Sequence, residues 1–110
     1  MEITRGDSGN YKFQRKDENG NVITTIADKI YFTVKPNFKV FNATFQKTID
    51  DMTFDNDGTY HFTIDPEDTE KLEYGDYVYD LEVKNGDYKK TISKGIFKIT
   101  EESTFVNNEV

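Results

Sequence analysis

Apolar residues recur at every second position along much of this chain, and few sequence features constrain a fold so tightly. In Tyr11-Lys12-Phe13-Gln14-Arg15-Lys16, the rings of Tyr11 and Phe13 share one face and polar residues take the other. The segment 29–35 places Ile30, Phe32 and Val34 inward, and 59–65 does the same with Tyr60, Phe62 and Ile64. Tyr77, Tyr79, Leu81 and Val83 then alternate with Asp76, Asp80 and Glu82. Successive side chains of a strand point to opposite faces, so this period of two spells half-buried β-strands. Ile92 ends one inward set, and Phe97 and Ile99 form another after Gly95. A glycine between two such sets predicts a bulge that resets the register.

Turn signals punctuate the runs. Asp17-Glu18-Asn19-Gly20-Asn21, Asp55-Asn56-Asp57-Gly58 and Asn85-Gly86-Asp87 each separate two strand candidates, and Gly and Asn accept the positive φ of tight hairpins. Strands are predicted at 10–16, 22–26, 29–35, 43–49, 52–55, 59–64, 76–84, 88–93 and 96–100. Segment 37–42 fits no period, because Phe38, Val40 and Phe41 follow neither the strand nor the helix spacing. One helical turn is expected near 66–71: Asp65 suits the N-cap, Pro66 the first helical position and Asp68 the capping-box acid. A crossing turn followed by Tyr77 at the next strand's start matches the tyrosine corner of immunoglobulin-like sandwiches, with Tyr79 pointing into the core. The expected fold is therefore all-β, an immunoglobulin-like β-sandwich of about seven to nine short antiparallel strands. It should occupy residues 1–101, with 102–110 as a polar C-terminal tail.

Composition narrows the function classes. The chain has 110 residues, enough for one core, and no cysteine, so disulfides and thiolate metal sites are excluded. Its apolar fraction is only 35%, but nine Phe and seven Tyr point to a core of large rings rather than disorder. There is no Trp, so the buried Trp of antibody domains is missing. A net charge of −7 opposes binding to nucleic acid or anionic membrane, both of which need clustered Lys and Arg. No apolar run is long enough to span a bilayer, and the first residues lack a signal-peptide pattern. The chain is expected to be made in the cytoplasm.

Individual motifs carry little chemistry. Arg5-Gly6-Asp7-Ser8 spells an integrin-type adhesion tripeptide, but without a secretory signal it reads as a turn joining two strands. Asp55-Asn56-Asp57-Gly58 resembles the start of a calcium loop, and Asp50 and Asp51 could add oxygens. An EF-hand, however, needs a Glu where Ile64 stands, so a hairpin turn is the default. His61 is the sole imidazole and lies opposite the Tyr60/Phe62/Ile64 face. No nucleophile elbow, phosphate loop or dinucleotide fingerprint is present, and abundant carboxylates pair by chance, so the chain is expected not to be an enzyme. No catalytic residue, cofactor or metal ligand is assigned. Tyr31 and Tyr74 are predicted outward, where Tyr either anchors an interface or simply favours a strand.

Three blocks taken in order resemble a known family. They are Ile3-Thr4-Arg5-Gly6-Asp7 leading to Ile30–Lys35; Phe54–Ile64 followed by Asp68-Thr69 and Leu72; and Tyr74–Val83 followed by Thr91-Ile92, Gly95 and Phe97–Thr100. The arrangement resembles small immunoglobulin-like proteins of tailed bacteriophages and prophages, most nearly the N-terminal domain of the baseplate upper protein family. That resemblance implies a non-enzymatic structural or adaptor component of a phage tail or baseplate. Its partners would be other phage structural proteins, with self-association available, and it would be incorporated in the virion. The family continues into trimerisation and receptor-binding segments that this sequence lacks, so the holding of receptor-binding proteins is not implied. Two other readings of the same scaffold are a carbohydrate- or host-surface-binding module and a small inhibitor of a host protein.

Overall fold

The alternating segments pair into two sheets whose inward sides meet. The structure, a computed structural model, describes residues 1–101; the tail expected at 102–110 lies outside the described residues. It is all-β. The strands are β1 (Glu2–Thr4), β2 (Gly9–Gln14), β3 (Lys29–Lys35), β4 (Phe45–Thr48), β5 (Thr53–Phe54), β6 (Thr59–Ile64), β7 (Gly75–Asn85) and β8 (Tyr88–Thr100). The larger sheet runs in the order β1-β8-β7-β3-β4 and the smaller in the order β2-β6-β5.

The core lies between them. Ile30, Phe32 and Val34 of β3, with Leu81, Val83, Phe97 and Ile99 of β7 and β8, are buried against Tyr60, Phe62 and Ile64 of β6. Phe32 is the hub: its ring centroid lies 4.8 Å from Phe62 of the opposite sheet, 5.8 Å from Tyr79 and 6.4 Å from Phe97. Phe13 of β2 stacks on Tyr60 at 5.0 Å, so the smaller sheet adds its own ring pair.

Two short turns carry the chain between sheets. A 3-10 turn at Ile49–Asp51 links β4 to β5, and the helical turn α1 (Pro66–Thr69) links β6 to β7. At α1 the Asp65 amide donates to the Asp68 carboxylate at 2.7 Å, which satisfies a donor at the helix start as the sequence predicts. Tyr77 then donates its hydroxyl proton to the Glu73 carbonyl at 3.0 Å. Lys47 bolts this crossing to the larger sheet. It stands opposite Phe32 on the core-facing side of β4, with its side chain only 12% exposed, and pairs with Asp68 at 2.7 Å and Asp65 at 3.3 Å. Burial lowers the Lys47 pKa, but the hydrogen bonds and charges of Asp68 and Asp65 outweigh it and the net shift is upward.

Four expectations need correction. The strand predicted at 22–26 is only a bridge between Lys16 and Val22. The chain must leave β2's sheet for β3's over these residues, and it is pinned as it goes by the Ala27 amide donating to the Tyr60 hydroxyl at 3.0 Å. The segments predicted at 88–93 and 96–100 form one strand. The register shift falls opposite Leu81/Glu82, which leaves Ile92 as the extra residue, three positions before Gly95. Gly95 is small for another reason: a Cβ there would come within 3.3 Å of the Tyr79 ring packed above it. Finally, not every pairing is antiparallel. β1 runs parallel to β8, since the two come from opposite ends of the domain and no hairpin dictates their direction.

Candidate binding surfaces

The adhesion-like tripeptide is a structural turn. Arg5 folds back so that its guanidinium lies 4.2 Å from the centroid of the Tyr74 ring and donates to the Leu72 carbonyl at 3.3 Å. The Gly6 amide donates to the buried Thr69 hydroxyl at 2.9 Å. The turn thereby clamps β1 to the crossing after α1, and Tyr74, outward as expected, is 44% exposed with the Arg5 guanidinium over its ring.

Asp55-Asn56-Asp57-Gly58 forms the β5–β6 hairpin. The Gly58 amide donates to the Asp55 carbonyl at 3.0 Å and the Asp55 amide to the Thr59 carbonyl at 2.8 Å. Its carboxylates are engaged within the turn: Asp55 meets His61 Nε2 at 2.7 Å, and Asp57 accepts the Thr59 amide at 3.0 Å. Among the described residues no three acidic, His or Cys side chains gather as a metal site. Hydrogen bonds from the Thr59 side chain and amide hold the Asp57 carboxyl below its ordinary value of 3.8. A carboxyl depressed on folding stabilises the native state above its unfolded pKa, and that contribution is lost as pH falls through the folded value. The stability difference between the wild type and Asp57→Ala is therefore expected to be present at about pH 6 and to shrink by about pH 3, as read by urea unfolding.

Two further surfaces among the described residues are candidates for binding. The first is the outer face of the larger sheet, overhung by loop 36–44. Phe41 is 98% exposed and Phe38 54%, with Lys94 Nζ lying 5.8 Å from the Phe38 ring. Beneath the loop, Tyr31, Phe41, Gln46, Asp80 and Glu82 border a shallow depression of about 310 Å³. Tyr31 is half-buried on this outer face, as its alternation predicted.

The second surface is a groove of about 470 Å³ between β2 with the 15–23 turn on one side and the first half of β8 on the other. Phe13, Ile23, Leu81, Val83 and Ile92 give it an apolar lining. Arg15, Lys16 and Lys90 add cationic groups, and no acid lines it. Arg15 is only 9% exposed; it donates to the Thr25 carbonyl at 2.6 Å, while its Nε is buried without an acceptor. An unsatisfied buried donor costs about 1–3 kcal/mol, and more when charged.

Arg15, expected with the polar residues on the face opposite Tyr11 and Phe13, is instead buried on their side, and both it and Lys47 carry a signal in the sequence. Arg15 continues the inward parity of Tyr11 and Phe13, and Lys47 sits between Phe45 and Ile49 on the inward parity of its strand. A cation at an inward position needs a partner. Lys47 has two, and Arg15 has no carboxylate among the described residues.

The chain matches no protein-family model and no curated protein. The geometry above is thus the basis for a functional reading, alongside the resemblance of the sequence blocks.

Proposed function

We propose that this chain is a non-enzymatic assembly module of a tailed-phage particle, built on an immunoglobulin-like sandwich. The fold part of this reading draws on strand order. With β2 to β8 taken as strands B, C, C′, D, E, F and G, the sheets read G-F-C-C′ and B-E-D, and β1 lies against G as a displaced A strand. The crossing between E and F carries the Tyr77 hydrogen bond to an upstream carbonyl, as a tyrosine corner does.

The observation that carries assembly is the pair of aromatic rings on loop 36–44. Phe41 is almost wholly in water, and Phe38, Ile96 and Tyr31 lie on the same outer face of the larger sheet. Large apolar side chains left exposed on one face are the kind that a protein partner covers. The test is incorporation. Immunoblots of gradient-purified particles from a lysogen carrying the gene should show the protein, and Phe38→Ser/Phe41→Ser should abolish its incorporation while leaving thermal unfolding unchanged. Particles without the protein, or a double variant incorporated at wild-type level, would rule this reading out.

One observation favours a second reading. The depression bordered by Tyr31, Phe41, Gln46, Asp80 and Glu82 combines rings with hydrogen-bonding groups, as sugar sites do. Retention on host cell-wall polysaccharide that is lost in the double variant, with no association with particles, would select it.

A further inference from the structure

We propose that the groove between β2 and the first half of β8 is a docking slot for an extended, carboxylate-bearing segment of a neighbouring protein, with Arg15 as its anchor. The inference rests on the assembly reading only in that the occupant is a protein segment. Three independent features of the groove specify that occupant.

Its rims are strand edges. β2 is the outer strand of the smaller sheet, and β1 covers only Lys98–Thr100 of β8, so the stretch from Tyr88 to Gly95 carries no strand on its outer side. Unpaired edges present rows of backbone donors and acceptors, which an incoming extended segment satisfies by adding a strand. Its floor is apolar, so alternate side chains of that strand would find Phe13, Ile23 and Ile92 while the intervening ones face outward.

Its charge is inverted relative to the rest of the molecule. The chain carries −7 overall, yet the groove is lined by Arg15, Lys16 and Lys90 with no acid. Arg15 is nine-tenths buried, and its Nε has no acceptor. A guanidinium in that state is set to take a carboxylate in a charge-assisted pair. The same charge argues against a second copy as occupant. Pairing the open stretch of β8 with that of another copy would bring Lys89, Lys90 and Lys94 of two molecules together, and like charges across a strand pair repel.

The experiment is a selection with a displayed library of random peptides of roughly eight residues, a common strand length, on the purified chain. Enriched peptides should carry Asp or Glu between β-branched or aromatic residues. Bound to the protein, the tightest of them should shift amide NMR signals at residues 13–16 and 88–93 and leave 38–41 unmoved. Arg15→Gln should weaken binding about tenfold or more, the scale of a lost buried charge pair. Because Arg15 is buried and its replacement can unfold the domain, Lys90→Glu is the second variant; Lys90 is exposed, and reversing its charge should weaken binding by a similar factor. No binder, binders without acids, shifts confined to 38–41, or Lys90→Glu binding as the wild type would each overturn the slot. If acidic strands bind while particles lack the protein, assembly fails and the slot stands; if particles contain it and no acidic strand binds, the slot alone fails.

Discussion

Phe32→Ala is expected to destabilise the domain by about 4 kcal/mol, the range for deleting a ring from a packed core. The ring is 1% exposed and touches Phe62, Tyr79, Phe97 and Phe45, so it joins both sheets. Alanine would remove contacts on two sides of the core, and the surrounding β-sheet backbone can close only part of the hole. Domains of this size are stable by roughly 5–15 kcal/mol, so the variant should lie near unfolding with a Tm lower by about 15–30 °C. Phe41→Ala provides the contrast. That ring is 98% exposed, and its loss should change stability by less than about 0.5 kcal/mol. Thermal and urea unfolding followed by circular dichroism measure both. A loss under about 1.5 kcal/mol at Phe32 would mean that the sheets do not share the core described here.

The parity of the apolar residues made the core legible. Ile30, Phe32, Val34, Tyr60, Phe62, Ile64, Leu81 and Val83 are all buried, each on the side its alternation assigned. The crossing turn was legible too, because Asp65-Pro66 and Asp68 are local capping chemistry that depends on no distant contact. What the sequence left obscure was non-local. Val22 and Ile23 have strand-forming residue types, but these residues begin the passage between sheets, where a ladder cannot continue. The bulge was visible as a parity change between Ile92 and Phe97, and its position was misread because Gly95 offered an easier local explanation than the packing of Tyr79. The candidate groove was the least legible feature. It exists because β1 is short and covers only one end of β8, and a three-residue strand leaves almost no trace in a pattern of alternation.

Gly58→Ala is expected to cost about 3–4 kcal/mol, and the reason lies in two terms that a matched variant can separate. Gly58 has φ +91°, a left-handed conformation that costs a residue with a Cβ roughly 1–2 kcal/mol. Gly20, at φ +85°, would pay the same term, and nothing lies within 4 Å of a Cβ built there. At Gly58 the added carbon would come within 2.7 Å of both the Ile23 carbonyl oxygen and Val22 Cγ1. The carbonyl cannot easily retreat, because the Ile23 amide is held by the Arg15 carbonyl at 2.8 Å. Overpacking of this kind adds about 1–3 kcal/mol. Gly20→Ala should therefore lose about 1–2 kcal/mol by urea unfolding and Gly58→Ala about twice that. Equal losses would mean that the 22–23 segment does not rest on the β5–β6 hairpin. The consequence reaches the groove, since Ile23 and Arg15 both line it. A carbon that pushes the 15–23 turn outward should widen the slot and move the guanidinium away from any bound carboxylate. Gly58→Ala should then weaken capture of acidic peptides in conditions where the protein is still folded, whereas Gly20→Ala, at the far tip of the same turn, should leave it unchanged.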